Sequence, residues 1–291
     1  MKIHVMAVLV ASVFSAPMVA QVPADRDRSD HRTPSWIVAI SGINAMEQQQ
    51  GGPQVVKKLL SDKRVIIVAA NPLRKGLNDS LRGVSVLSAD KCKETIEKPT
   101  NAELKTLLVD LESWPGTPKS DQENPEKATR QCHQLAHQDG RNITVIAVPA
   151  MDLMNVLEPN HRGTQYQAAI QFDLEGKLAT ASDGIEVQVE NLEDNPEEFE
   201  RTLVTMISQI KAAREKANLN TDIPIYAGLS TGVVAKEIPT DTLVKYLKED
   251  IARTRNFVTG YWMAIPPKDL CPRCGDPNPE VAVKLLQSLD E

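Results

Sequence analysis

Eight short apolar runs, many of them rich in β-branched residues, limit what this chain can fold into: Trp36–Ile40, Val65–Ala69, Val84–Leu87, Leu107–Leu111, Ile143–Val148, Ile185–Val189, Ile223–Ala227 and Phe257–Met263. Each is too short for a helix, and several are apolar on both faces, as strands covered on both sides must be. Helical stripes lie between most of them. Phe199, Leu203, Met206, Ile207 and Ile210 share one such stripe, and Leu243, Leu247 and Ile251 another. Strand alternating with helix implies a parallel sheet.

Three helix starts carry the same chemistry. Asn124-Pro125-Glu126, Asn195-Pro196-Glu197 and Asn278-Pro279-Glu280 each offer an Asn to cap orphan amides, a Pro suited to the first helical position, and a Glu for the positive helix end. Eight strand–helix units would close a (β/α)8 barrel of the TIM type, and 291 residues hold one such domain. The step from Val65 to Val84, with Pro72 and Gly76 inside it, is too short for a full helix, so one unit is expected to be abbreviated. A seven- or eight-stranded sheet with one irregular unit is the alternative. The 163–183 segment reads as the helix before the sixth strand, with Tyr166, Ala169, Ile170 and Leu174 on one face.

The expected layout is a signal peptide over 1–20, a polar leader over 21–34, and the barrel over 35–291. Lys2 and the apolar run Val5–Phe14 fit a secretory signal too short to span a bilayer. A secreted protein, extracellular or periplasmic, is therefore expected, with no membrane span in the mature chain. A formal charge of −6 with no basic block argues against a nucleic-acid partner. Four cysteines suit export. Cys92 would follow the third strand and Cys132 would lie on the helix after the fourth, so they can be bridged. Cys271-Pro-Arg-Cys274 admits a tight disulfide, half of a zinc site or a redox pair, and disulfides are the preferred reading of both pairs.

The chemistry is expected at the carboxyl ends of the strands, where parallel α/β folds place it. Leu107-Leu108-Val109-Asp110-Leu111-Glu112 is a strand that turns acidic at its end. Asp110 and Glu112 share one face, about 6 to 7 Å apart along the backbone. Buried carboxylates are costly unless solvated, paired or used. The sixth run has Glu186, Gln188 and Glu190 on one face, opposite Ile185, Val187 and Val189, and the polar row should face the lumen. Asn71, Asp152, Tyr226 and Trp262 also fall at strand ends. Carboxylates, amides and a Trp around one mouth suit a sugar, which stacks on aromatics and needs polar partners for its hydroxyls. Glu112 is the candidate general acid, because Asp110 beside it would disfavour its ionisation. Asp110 and Glu190 are the assisting carboxylates. Gln188, Tyr226, Trp262, Asp152 and Asn71 are candidate substrate contacts.

Other schemes have less support. There is no G-x-S-x-G elbow, P-loop or G-x-G-x-x-G, so no cofactor is expected. His133, His137 and His161 fall on helix or loop patterns, so neither a His triad nor a His-rich metal site is expected. A catalytically silent barrel that binds a carbohydrate or another ligand at the cell surface is the alternative. Metal-assisted hydrolysis by Asp110, Glu112, Asp152 and Glu190 is a third option.

Several strings together carry a resemblance: Val109-Asp-Leu-Glu-Ser-Trp-Pro-Gly-Thr-Pro118, Val145-Ile-Ala-Val-Pro-Ala-Met-Asp-Leu153, Glu186-Val-Gln-Val-Glu190, Tyr226-Ala-Gly-Leu-Ser-Thr231, Gly260-Tyr-Trp262 and Cys271-Pro-Arg-Cys274. From Trp36 onward the chain resembles a group of uncharacterised secreted bacterial proteins common in actinobacteria. That likeness implies a TIM-barrel, glycosidase-like domain and assigns no reaction; a polysaccharide or oligosaccharide partner is the expectation from the strand-end residues. More distantly, Asp110-x-Glu112 and Trp262 are similar to family 18 chitinases, whose D-x-x-D-x-D-x-E motif ends in the proton donor and whose last-strand Trp floors the sugar site. Lys105 and Leu108 stand where that motif carries Asp. Family 25 lysozymes share the Asp-x-Glu alone.

Overall fold

The strand runs all become neighbours in one sheet. The structure, a computed structural model, describes residues 34–71, 80–232, 238–265 and 278–289. The expected signal peptide, most of the leader and the Cys271/Cys274 pair lie outside the described residues. The strands are β1 Ser35–Ala39, β2 Ile66–Val68, β3 Leu81–Val86, β4 Thr106–Leu111, β5 Thr144–Pro149, β6 Gly184–Val187, β7 Ile225–Ser230 and β8 Gly260–Ala264. Each pairs in parallel with the next, and β8 returns to β1, closing an eight-stranded TIM-type barrel in a single domain. This is the expected fold class.

The helices are α1 Ile40–Glu47, α2 Gly52–Ser61, α3 Ala89–Glu97, α4 Lys119–Glu123, α5 Pro125–His137, α6 Met154–Leu157, α7 Gln165–Phe172, α8 Leu174–Ala179, α9 Pro196–Lys216, α10 Thr240–Thr254 and α11 Pro279–Ser288. The described residues between β2 and β3 form no helix. All three Asn-Pro-Glu strings open helices with Pro in the first turn. Asn195 and Asn278 cap theirs by accepting from Glu198 N and Val281 N, both at 3.3 Å. Asn124 does not cap; its amide donates to Ser120 O in the first turn of α4 instead. The segment before β6 is helical but breaks at Asp173, whose left-handed backbone (φ 58°) separates α7 from α8.

Alternation within each strand creates two apolar zones. Leu107, Val109 and Leu111 of β4 pack outward beneath α3 and α5. Ile185, Val187 and Val189 face the other helices. Ile37, Ile66, Leu108, Ile146, Val148 and Tyr226 fill the lumen, so the lower barrel is plugged with side chains. A disulfide joins Cys92 of α3 to Cys132 of α5, with Cα atoms 5.5 Å apart.

Candidate active site

Above the apolar plug the lumen turns acidic. Leu108 is the last apolar residue on the inward row of β4, and Asp110 and Glu112 follow it toward the carboxyl end. Ser85 on the adjacent β3 donates to Asp110 Oδ2 at 3.1 Å. Burial pushes Asp110 up to about 6 against the Ser85 hydrogen bond, with the Asp152 carboxylate adding to the rise. Glu112 lies nearer the rim, partly exposed. Burial, then the charges of Asp110 and Asp152, push it up to about 7.

The loop after β4 is built around this carboxyl. Glu112 N donates to Thr117 Oγ1 at 3.3 Å, and Ser113 N donates to Asp152 Oδ1 at 2.9 Å. Asp152, from the turn after β5, thus braces the Glu112–Ser113 backbone while its charge acts on Glu112. Trp114 projects from the same loop and is 41% exposed. A Cβ at Gly116 would come within 2.7 Å of the Trp114 ring, so a larger residue there would push the ring aside.

β6 brings the second acidic group. Glu186 is buried in the lumen, and neither of its side-chain oxygens has a hydrogen-bond partner among the described residues. Burial, then the charges of Glu190, Asp110 and Glu175, push it well above the usual carboxylate range. Glu190 is raised by burial, Glu193 and Asp110, to about 8. Its backbone carbonyl accepts from the Tyr166 hydroxyl of α7, and its carboxylate rests directly against Gly228 of β7, where a Cβ would collide with it. Glu193 sits behind it, accepting from Ser230 N at 2.8 Å and Asn191 N at 2.6 Å.

Asp110 therefore stands between two acidic groups: its charge acts on Glu112, as does that of Asp152, and it also acts on Glu186 and Glu190 across the lumen. Among the described residues no Lys or Arg forms an ion pair with Asp110, Glu112 or Glu190. Trp262 is half-buried and packs on the lumen plug beside Gly228. Tyr226 lies lower than a sugar contact would need. It is buried in the plug, and its hydroxyl bonds to Ser35 at the amino-terminal start of β1. Asn71 is exposed on the β2–β3 connection, and Gln188 is half-buried just past β6. Sequence reasoning placed Glu186 on the lumen-facing row without giving it a role, and did not select Glu193, Ser85 or Trp114. The Trp two residues after Glu112 was the signal that could have found Trp114.

No family model and no curated protein matches the chain. It is similar in structure to a family 51 α-L-arabinofuranosidase from Bifidobacterium longum, at TM-score 0.46 and 10% identity, covering 79% of this chain and 66% of that one. This chain thus spans just under two thirds of that enzyme. It is also similar to a family 128 endo-β-1,3-glucanase from Amycolatopsis mediterranei in complex with laminaritriose, at TM-score 0.49 and 10% identity, covering 89% of this chain and all of that one. A third similar structure is a 3-deoxy-D-arabino-heptulosonate 7-phosphate synthase from Thermotoga maritima, at TM-score 0.41 and 8% identity, covering 88% and 85%. At such identity none of these reactions transfers to this chain; the barrel stands on its own strand order.

Proposed function

We propose that the chain is an exported glycoside hydrolase that cleaves a polysaccharide or oligosaccharide at the carboxyl-terminal mouth of its barrel. One observation carries the reading: a partly exposed carboxyl, Glu112, pushed up to about 7 by burial and by Asp110 and Asp152, at the end of β4. A group of that kind keeps its proton near neutral pH and can deliver it to a glycosidic oxygen. Asp110, held lower, is the anion that keeps Glu112 protonated. Glu190 serves as the second carboxylate, attacking the sugar or activating water. Trp114 and Trp262 offer faces for sugar rings, and Asp152 and Gln188 offer hydroxyl partners.

The raised Glu190 has a kinetic consequence. Its working form is the anion, which grows in as pH rises toward about 8, whereas Glu112 loses its proton above about 7. Only a minority of molecules holds both working forms at once, and the pH–rate profile is a narrow bell on the alkaline side of neutral. That same observation favours the second reading, a silent barrel. A neutral Glu190 and a neutral Glu186 would donate to sugar hydroxyls without turnover.

The experiment is a reducing-end assay of the purified protein on plant, fungal and bacterial cell-wall glycans. The hydrolase reading expects product release that falls by about 10²- to 10⁴-fold in Glu112→Gln, with sugar binding retained. Unchanged activity in Glu112→Gln removes the assignment. Calorimetric binding with no product on any glycan establishes the silent barrel.

A further inference from the structure

A second cluster, of different chemistry, lies at the opposite end of the barrel. His133 and His137 sit one turn apart on α5, their ring centroids 4.5 Å from one another. Both aim at Asp183, the residue just before β6. His133 Nε2 is 3.0 Å from Oδ1 and His137 Nε2 is 2.9 Å from Oδ2. The backbone N–H of Val145, near the start of β5, donates to Asp183 Oδ2 at 2.8 Å and fixes the carboxylate in place. Burial works to raise Asp183, but the bonds from His133, Val145 and His137 outweigh it and hold the carboxyl below its ordinary range. Asp183 thus presents one carboxylate oxygen to each of the two imidazoles.

These three donors match a transition-metal ligand set. Two His at i and i+4 on one helix face are the spacing that lets both imidazoles reach one ion. The three ligand atoms all lie within 4.8 Å of one another. A tetrahedral ion with bonds near 2.0–2.1 Å spaces its ligand atoms by roughly 3.3 Å, so small rotations suffice. The histidine side chains are 35% and 38% exposed, which gives an entry path and room for water as a fourth ligand. The Val145 amide orients the carboxylate, as outer partners do in metal sites. Arg214 also feels Asp183, but its donors are directed at the carbonyls of Ala179, Ser182 and Asn220, leaving the carboxylate to the histidines.

We propose that His133, His137 and Asp183 bind a zinc-type divalent ion that staples α5 to the amino-terminal ends of β5 and β6. Each imidazole binds through the lone pair of Nε2 with its proton on Nδ1: a neutral ring that carried its proton on Nε2 changes tautomer with no net loss, and a doubly protonated ring releases its Nε2 proton to solvent as the metal enters. The site is structural, because the amino-terminal face of such barrels serves stability and the acidic mouth lies at the other end. It is independent of the glycosidase reading.

The test uses the full, untagged, oxidised protein, stripped of metal and titrated with Zn²⁺ by calorimetry and with Co²⁺ by visible absorption. One ion per chain is expected, with a cobalt spectrum of nitrogen and oxygen ligation and a thermal midpoint raised by Zn²⁺. His133→Gln and His137→Gln, both at partly exposed positions, should bind at least tenfold more weakly and lose the thermal shift. No uptake by the unaltered protein overturns the proposal. So does equal uptake by both variants, or a cobalt spectrum of thiolate ligation, which would place the ion on cysteine. The wild-type cobalt spectrum decides even if a variant fails to fold.

Discussion

At the mouth of the barrel burial pushes Asp110, Glu112 and Glu190 up to about 6, 7 and 8, with Asp152 adding to the rise of the first, Asp110 and Asp152 to that of the second, and Glu193 and Asp110 to that of the third. At the amino-terminal end Asp183 stands between two imidazoles and a backbone amide and is held below its ordinary range. One barrel treats the same functional group in opposite ways. The difference lies in what each carboxyl meets. At the mouth, burial and like charges favour the neutral form; at the other end, hydrogen-bond donors favour the anion. Carboxyls crowded without cations cost stability, and a fold keeps such a cost where it serves a site.

The sharpest way to break the contrast is at Gly228. An alanine there would place a methyl group where the Glu190 carboxylate lies, displacing it. Gly228→Ala should lower kcat by about 100-fold, as misplacement of a reacting group by about 1 Å does, and steady-state kinetics would show it. Unchanged kcat would take Glu190 out of the reaction.

Stability against pH comes next. The raised carboxyls, together with Glu175 at about 7, Glu193 at about 7 and Asp250 at about 9, keep protons in the folded state that the unfolded chain releases near the ordinary 4.5 or 3.8. The unfolded chain then binds fewer protons, so stability falls as pH rises through about 6 to 9. Thermal melts should give a higher midpoint near pH 5 than near pH 9. Glu186→Gln, which cannot ionise, should flatten part of that pH dependence, because burial and the charges of Glu190, Asp110 and Glu175 push Glu186 above the usual carboxylate range. A midpoint that climbs with pH over that range would contradict the account of the mouth.

The smallest effect belongs to the other end. Asp183→Asn removes a half-exposed anion screened by water, and in metal-free protein it should cost about 1 kcal/mol by chemical denaturation. Asp183 is depressed, so its contribution is present above its unfolded value and is lost as pH falls into strongly acid solution. A cost several times larger would mean that the cluster carries the fold at that end.

What was legible in the sequence was local. Strand runs such as Leu107–Leu111 and the Pro-opened helices depend on neighbours a few residues apart, and the structure places them as read, whereas β6 ends at Val187, so that of the polar row only Glu186 lies on the strand. The Cys92–Cys132 bridge follows once consecutive units are neighbours. Features that depend on depth or distant pairing were not legible. Tyr226 sits at a strand end in sequence, yet its level in the closed barrel puts it in the plug beside Leu108 and Ile146. His133 and His137 looked like surface helix positions, because their partner Asp183 lies 50 and 46 residues away. Asn124 matched the other two caps, but the preceding α4 claims its amide.

The central claim is that the acidic mouth turns Glu112 into a proton donor. Carbon-detected NMR titration of the side-chain carboxyls, in the wild type and in Asp110→Asn, measures this without any substrate. The account predicts that Glu112 titrates near 7 and moves down when Asp110 is neutralised, while burial and Asp152 still hold it above its ordinary 4.5. A Glu112 that titrates at its ordinary value in the wild type would contradict it.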